Sequence, residues 1–264
     1  MTQNEETVLS ERRGPVLLLT LNRPERLNAW NDELEQRYFA LLDEAEADPE
    51  VRAIVVTGAG KGFCGGADLD VLARVSAADE VGPVERPRPR TFPLTVRKPM
   101  IAAINGAAAG LGLVEALYCD IRFSTPDAKL TTAFARRGLI AEYGIAWLLP
   151  RLVGTSRALD LLLSGRIVKG EEAWALGLVD KVVERDALLD AAVGYATELA
   201  AFCSPASMSV IKRQVMQALD TDFATAVAEA DDLMVASFNQ PDAAEGVTSY
   251  MERRPPTFRP LDAP

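Results

Sequence analysis

Three short runs constrain the fold of this chain more than anything else in it: VLLLTL (16–21), AIVVTG (53–58) and PMIAAIN (99–105). Each is apolar almost without a break instead of alternating, as in a strand covered on both faces. Each gives way to turn-forming or small residues and then to a stretch with helical character. NRPE closes the first run, and from Asn31 or Asp32 the residues Leu34, Tyr38, Leu41, Leu42 and Ala45 recur at helical spacing until Asp48-Pro49. GAGKGFCGGADL follows the second run and leads to a short helix from about Ala67, while GAAAGLGLVEALYCD follows the third. IRFST (121–125) and AKLTT (128–132) read as further strands. Strands alternating with glycine-led helices indicate the α/β class. Past residue 155 the pattern turns helical, ending in a long stretch from Pro205 to about Phe238. Residues 75–93, rich in proline and charge, read as a mobile surface loop.

Composition narrows the chemistry. The 264 residues include no histidine, which removes Ser-His-Asp and Cys-His catalysis and every histidine metal site. Cys64, Cys119 and Cys203 are scattered, without CxxC spacing, and read as reduced thiols of a cytoplasmic protein. A net charge of −10 argues against nucleic acid. No apolar run reaches the roughly 18 residues of a membrane span, and the first residues lack a signal-peptide core. Catalysis is left to carboxylates, backbone dipoles, thiols, lysines and tyrosines.

GAGKG (58–62) is not a phosphate loop, because Val55 and Gly62 stand where that motif needs a glycine and a hydroxyl residue. It reads as a flexible turn. FCGGADL (63–69) and NGAAAGLGL (105–113) share another design: a strand end, a run of small residues, then a helix start with unpaired N–H groups. Two such turns converging on one oxygen make an oxyanion hole. Glu142 lies in LIAEYGI, among apolar neighbours where an unpartnered carboxylate is rare. It is either a helix-capping residue or a base whose proton affinity is raised by an apolar setting.

LNRPERLNAW (21–30), FCGGADL after a strand ending in TG, KPMIAAINGAAAGLG (98–112), ALYCDIRFS (116–124), LLPRLVG (148–154), LLLSGR (161–166) and EEAWALGLVDKVV (171–183) together resemble the enoyl-CoA hydratase/isomerase (crotonase) superfamily. The resemblance implies a spiral of ββα units over residues 1–200 and a C-terminal helical trimerisation region over 201–264. It implies a homotrimer or dimer of trimers, an acyl-CoA thioester as substrate, and no metal or separate cofactor. By position, the oxyanion amides fall on Ala67 and Leu111. The CoA path falls along Arg26, Leu27 and Ala29, with Asp68 and Leu69 beside it and Gly66 and Gly110 in the binding turns. The two glutamates of hydratases fall on Val114 and Phe134. Glu115 is one residue from the first, about 100° round the helix. LTTAFARRGLIAEYG (130–144) is similar to the Δ3,Δ2-enoyl-CoA isomerase branch, where one glutamate, here Glu142, shuttles the proton. The function expected is therefore 3-enoyl-CoA to 2-enoyl-CoA isomerisation. The alternatives are 2-enoyl-CoA hydration in fatty-acid β-oxidation and non-catalytic acyl-CoA binding.

Overall fold

The computed structural model describes residues 6–77, 82 and 86–263. Strands β1 (Val8–Arg13) and β2 (Val16–Leu21) form an antiparallel hairpin, turning at Gly14 with φ +60°. Helix α1 (Asp32–Ala47) follows, its first turn closed by the Asn31 side chain accepting from the Leu34 N–H at 2.9 Å. At its other end the buried Lys98 ammonium donates to the Asp48 carbonyl at 2.7 Å, using a C-terminal acceptor that the helix leaves open.

A strand–strand–helix rhythm then sets in. It runs β3 (Ala53–Gly58), β4 (Gly62–Cys64), α2 (Leu69–Ser76); then β5 (Met100–Ile104), β6 (Ala107–Ala109), α3 (Leu111–Tyr118); then β7 (Ile121–Ser124) and β8 (Lys129–Thr131). The first strand of each pair enters a six-stranded sheet, ordered β1-β2-β3-β5-β7 and then β10 (Lys181–Val182). The second enters a four-stranded sheet, ordered β4-β6-β8 and then β9 (Val168–Lys169). The later elements are α4 (Ile145–Val153), α5 (Thr155–Ser164), β9 (Val168–Lys169), α6 (Gly170–Leu176), β10 (Lys181–Val182), α7 (Leu188–Phe202), α8 (Pro205–Ala218), α9 (Phe223–Phe238) and α10 (Pro241–Glu252). This is the expected mixed α/β spiral with a helical C-terminal region. No helix among the described residues is long and apolar enough to cross a membrane.

The unbroken apolar runs have a direct cause. Ile54 and Val56 of β3, with Met100, Ala102 and Ile104 of β5, face the larger core that α1 and α3 also line. Ala53, Val55, Ile101 and Ala103 face the other way, onto Leu188, Ala192 and Ala196 of α7. Both sheet faces are covered, so these strands are almost wholly apolar, and the one hydroxyl among them, on Thr57, donates to the Ala103 carbonyl at 2.9 Å.

Strand β6 lies in what reads as a plain small-residue turn. Its pairing with β4 is so close that a Cβ on Gly106 would sit 2.0 Å from the Lys61 carbonyl oxygen. The Gly58–Gly62 turn is not loose either. Asn105 Nδ2 donates to the Gly58 and Gly60 carbonyls at 2.8 and 3.1 Å. The stretch 75–93 is not loop at its two ends. Its first residues end α2, and its last enter a 3-10 turn at Phe92–Thr95. Within it, Arg86, Arg88 and Arg90 pair with Glu35, Asp43 and Glu35. The middle of that stretch, 78–81 and 83–85, lies outside the described residues.

Candidate active site

Strands β4 and β6 are parallel neighbours, so the FCGGADL and GAAAGLGL turns leave the same edge of the small sheet. Gly66, with φ +99°, ends the first turn, and a Cβ there would lie 2.7 Å from the Ala109 carbonyl and 3.8 Å from the Leu111 nitrogen. Gly110, with φ 51° and ψ −121°, ends the second, in a conformation that only glycine adopts readily. Each glycine aims the amide that follows it. Ala67 pairs with Trp30 in an isolated bridge whose hydrogen bonds run through its neighbours, Trp30 N–H to Gly66 and Asp68 N–H to Trp30. Leu111 is the first residue of α3. Neither the Ala67 nor the Leu111 amide donates a hydrogen bond among the described residues. Two adjacent, unsatisfied donors are what the sequence pattern implies for an oxyanion hole.

The Arg26–Ala29 segment is fastened to the same place by a residue that sequence reading passed over. Asn28 is wholly buried, with φ 55°. Its side chain accepts from the Arg23 N–H at 2.9 Å and donates to the Ala59, Gly62 and Phe63 carbonyls at 2.9 to 3.1 Å. The Gly65 N–H donates to the Leu27 carbonyl at 2.8 Å. Arg26 and the side chains of Leu27 and Leu69 remain exposed, at 46% and 68% for the two leucines. Asp68 is buried and held by Arg23 at 2.8 Å, and its other bond is from the Asp70 N–H, so it fixes the turn and leaves little for a ligand. Cys64 beside the turn is buried, and burial pushes its thiol up to about 12, which leaves it a small apolar filler.

Glu142 lies in the connection before α4 and is half-buried, less enclosed than its apolar neighbours suggest. The next residue, Tyr143, is in the left-handed region with φ 55°, which costs a non-glycine residue roughly 1 to 3 kcal/mol. Gly144 follows with φ 75°. The strained turn is held from α3: the Tyr118 hydroxyl donates to the Tyr143 carbonyl at 2.6 Å. Leu111 and Tyr118 are seven residues apart on α3, so an open amide and the anchor of the Glu142 turn are separated by about 10 Å of helix. Val114 and Phe134, at the two positions implied for hydratase glutamates, are both buried apolar residues.

Glu115 is the residue that sequence reading undervalued. All eight residues of α3 are buried, so its displacement from Val114 turns it into the core and not toward solvent. It is 3% exposed, and neither carboxylate oxygen has a hydrogen-bond partner. Burial holds its carboxyl well above the usual carboxylate range, opposed by the Arg90 guanidinium and reinforced by Glu35. Glu35 accepts from Trp30 Nε1 at 2.9 Å and pairs with Arg86 and, at 3.1 Å, with Arg90 Nε. The Arg90 guanidinium carbon lies 4.9 Å from the centre of the Tyr143 ring. Among the described residues, no group of three or more Cys, Asp or Glu side chains gathers where it would hold a metal.

The Enoyl-CoA hydratase/isomerase family model matches residues 11–260. The chain is 36% identical over 260 residues to the 1,2-epoxyphenylacetyl-CoA isomerase of Escherichia coli K12, covering 96% of this chain and 98% of that one. It is 36% identical over 259 residues to a probable enoyl-CoA hydratase of Rhizobium meliloti, with the same coverage. A crystal structure of a probable enoyl-CoA hydratase/isomerase from Mycobacterium abscessus superposes with a TM-score of 0.89 at 32% identity, over 96% of this chain and 99% of that one. With that similarity running through the spiral, both small-residue turns and the C-terminal helices, the chain belongs to the enoyl-CoA hydratase/isomerase (crotonase) family of acyl-CoA enzymes.

Proposed function

We propose that the protein moves the double bond of a 3-enoyl-CoA into conjugation, giving the 2-enoyl-CoA. Glu142 takes a proton from C2, the Ala67 and Leu111 amides hold the oxygen of the resulting enolate, and the same carboxyl returns the proton at C4. A preorganised donor of this kind is worth on the order of 10² to 10³ in rate. The observation that carries the reading is helix α3, which starts at an open amide and grips the Glu142 turn through Tyr118. Val114 and Phe134 support it, since neither can hold a water for addition. Coenzyme A comes in as part of the substrate, so no separate cofactor is needed. Arg26, Leu27, Ala29 and Leu69 offer it a path, and two leucines left open to solvent there suit the faces of an adenine.

Hydration of a 2-enoyl-CoA is the second reading. It is favoured by the relative named as a probable enoyl-CoA hydratase and by the carboxyl of Glu115, next in sequence to Val114. The deciding assay adds a trans-3-enoyl-CoA to the purified protein and follows the ultraviolet band of the conjugated thioester. Growth of the band, lost in a Glu142→Gln variant that still binds acyl-CoA, supports isomerisation. No band from the 3-enoyl ester, with consumption of the 2-enoyl ester, supports hydration. We also propose a homotrimer or dimer of trimers. Ile211, Val215, Phe238, Tyr250 and Met251 expose apolar surface on α8, α9 and α10, beside a groove of about 790 Å³.

A further inference from the structure

We infer that Glu115 and Arg90 form a polar subsite for an oxygen atom carried on the acyl chain, so that the preferred substrates are acyl-CoA esters bearing a hydroxyl, keto or epoxide oxygen. This rests on the acyl-CoA reading above. Both oxygens of Glu115 and two nitrogens of Arg90, Nε and Nη1, are buried without a hydrogen-bond partner among the described residues. Arg90 Nε is near Glu35, yet its N–H is not directed at that carboxylate, so the ion pair leaves the donor unused. A buried polar group without a partner typically costs on the order of 1 to 3 kcal/mol, and several at one place are kept only where something satisfies them.

The cluster is also where an acyl chain would run. On one side, Ala67 pairs with Trp30, the Trp30 indole donates to Glu35, and Glu35 pairs with Arg90. On the other, α3 carries Leu111, Glu115 and Tyr118 at positions i, i+4 and i+7, one face of the helix, and Tyr118 holds the backbone of Tyr143, whose ring lies under Arg90. The two chains of contacts start at the two open amides and meet at Arg90. A thioester oxygen on the amides therefore sends its acyl group toward Glu115, about 6 Å along the helix from Leu111. Burial favours the protonated form of Glu115, which offers one O–H donor and one acceptor, while Arg90 offers two N–H donors. That set is complementary to an oxygen and unsuited to a methylene chain.

The test is calorimetric binding of unreactive saturated esters: hexanoyl-CoA against its 4-oxo and 5-oxo derivatives, whose ketone oxygen is a pure acceptor. The inference expects at least one oxygenated ester to bind on the order of tenfold more tightly than hexanoyl-CoA. That preference should persist in Glu115→Gln, which keeps a donor and an acceptor, and vanish in Glu115→Leu and in Arg90→Met. Equal affinity for all the esters, or a preference that survives both of the last two variants, overturns it and assigns the unpaired atoms to internal water. Failure of hexanoyl-CoA itself to bind overturns the acyl-CoA reading as well, an outcome visible before any oxygenated ester is compared.

Discussion

Replacing Glu115 with glutamine should make the protein more stable as pH rises, against the usual expectation for deleting a charge-bearing group. The native state encloses the carboxyl at 3% exposure, and burial, the largest influence on it, raises its pKa well above 4.5. In the unfolded chain it ionises near its ordinary value. Above pH 4.5 the native wild type therefore binds one more proton than the unfolded chain, and its stability falls with pH. The contribution is fully present below 4.5 and is lost as pH rises toward the native pKa. Each pH unit in that window is worth about 1.4 kcal/mol for one proton. The Glu115→Gln variant binds no such proton and has no such slope. Relative to wild type it gains about 1.4 kcal/mol per pH unit, and the gain levels off where native Glu115 finally ionises.

The difference between the two proteins is the quantity to use. Asp48, held low by Arg12, and Glu245, held at about 2 by Arg254, give pH slopes of the opposite sign, but these are common to both proteins and cancel. A fixed offset from exchanging a carboxyl for an amide cancels as well, because only the slope is read. Urea unfolding of both proteins at half-unit steps from pH 5 to 8 gives the slope directly, with the midpoint shift converted through a shared m-value. A gap that does not change with pH would falsify the buried-acid assignment. Glu115 would then be ionised in the native state and paired with Arg90 in solution, and the polar subsite would be a salt bridge.

Other perturbations test the frame around the site. Gly66→Ala places a methyl 2.7 Å from the Ala109 carbonyl at a φ that alanine tolerates poorly, so the Ala67 amide is displaced and kcat should drop on the order of 10²-fold or more, read by the thioester absorbance assay. Asn28→Ala leaves the Ala59, Gly62 and Phe63 carbonyls without its donors; roughly 2 to 4 kcal/mol of stability should be lost in chemical unfolding, with KM for acyl-CoA rising as the Leu27 segment loosens. Tyr118→Phe removes the tether of the Glu142 turn, which should cost about 1 kcal/mol of stability and lower kcat while leaving CoA ester affinity nearly unchanged. A wild-type kcat in the tyrosine variant would separate Glu142 from the chemistry.

Much of the frame is legible in the residues because backbone requirements leave strong marks. The runs at 16–21, 53–58 and 99–105 are apolar almost without a break because helices and a second sheet cover both faces, and Asn31 and Asp48 mark the ends of α1 where the periodicity places them. The two small-residue turns are readable because Gly66 and Gly110 occupy positions that a side chain would block or strain. Strands β4 and β6, of three residues each, carry no period long enough to detect, and β6 is three alanines. Side-chain partnerships across the fold leave no local trace. Nothing in the order of residues says that Arg90 reaches Glu35, that Asn28 ties Arg23 to Phe63, or that Glu115 faces inward on a helix buried on every side.

That division has a chemical reading. The proposed mechanism gives the enolate oxygen to two backbone amides, and any residue type supplies an amide, so Leu111 can serve where another residue would. The requirement falls on the glycines before the amides and on the pairing of two parallel strands, which is why this half of the site is written plainly in the sequence. The proton-handling half needs only a carboxyl within reach of C2 or C4, and many positions around the acyl chain satisfy that. On the proposed mechanism, valine at 114 and phenylalanine at 134 do not by themselves remove catalysis from a chain of this family. Such a chain here has open amides at Ala67 and Leu111 and two carboxyls, Glu142 on a strained turn and Glu115 in the interior. On the same proposal, substrate choice follows from where those carboxyls stand and not from the two backbone amides.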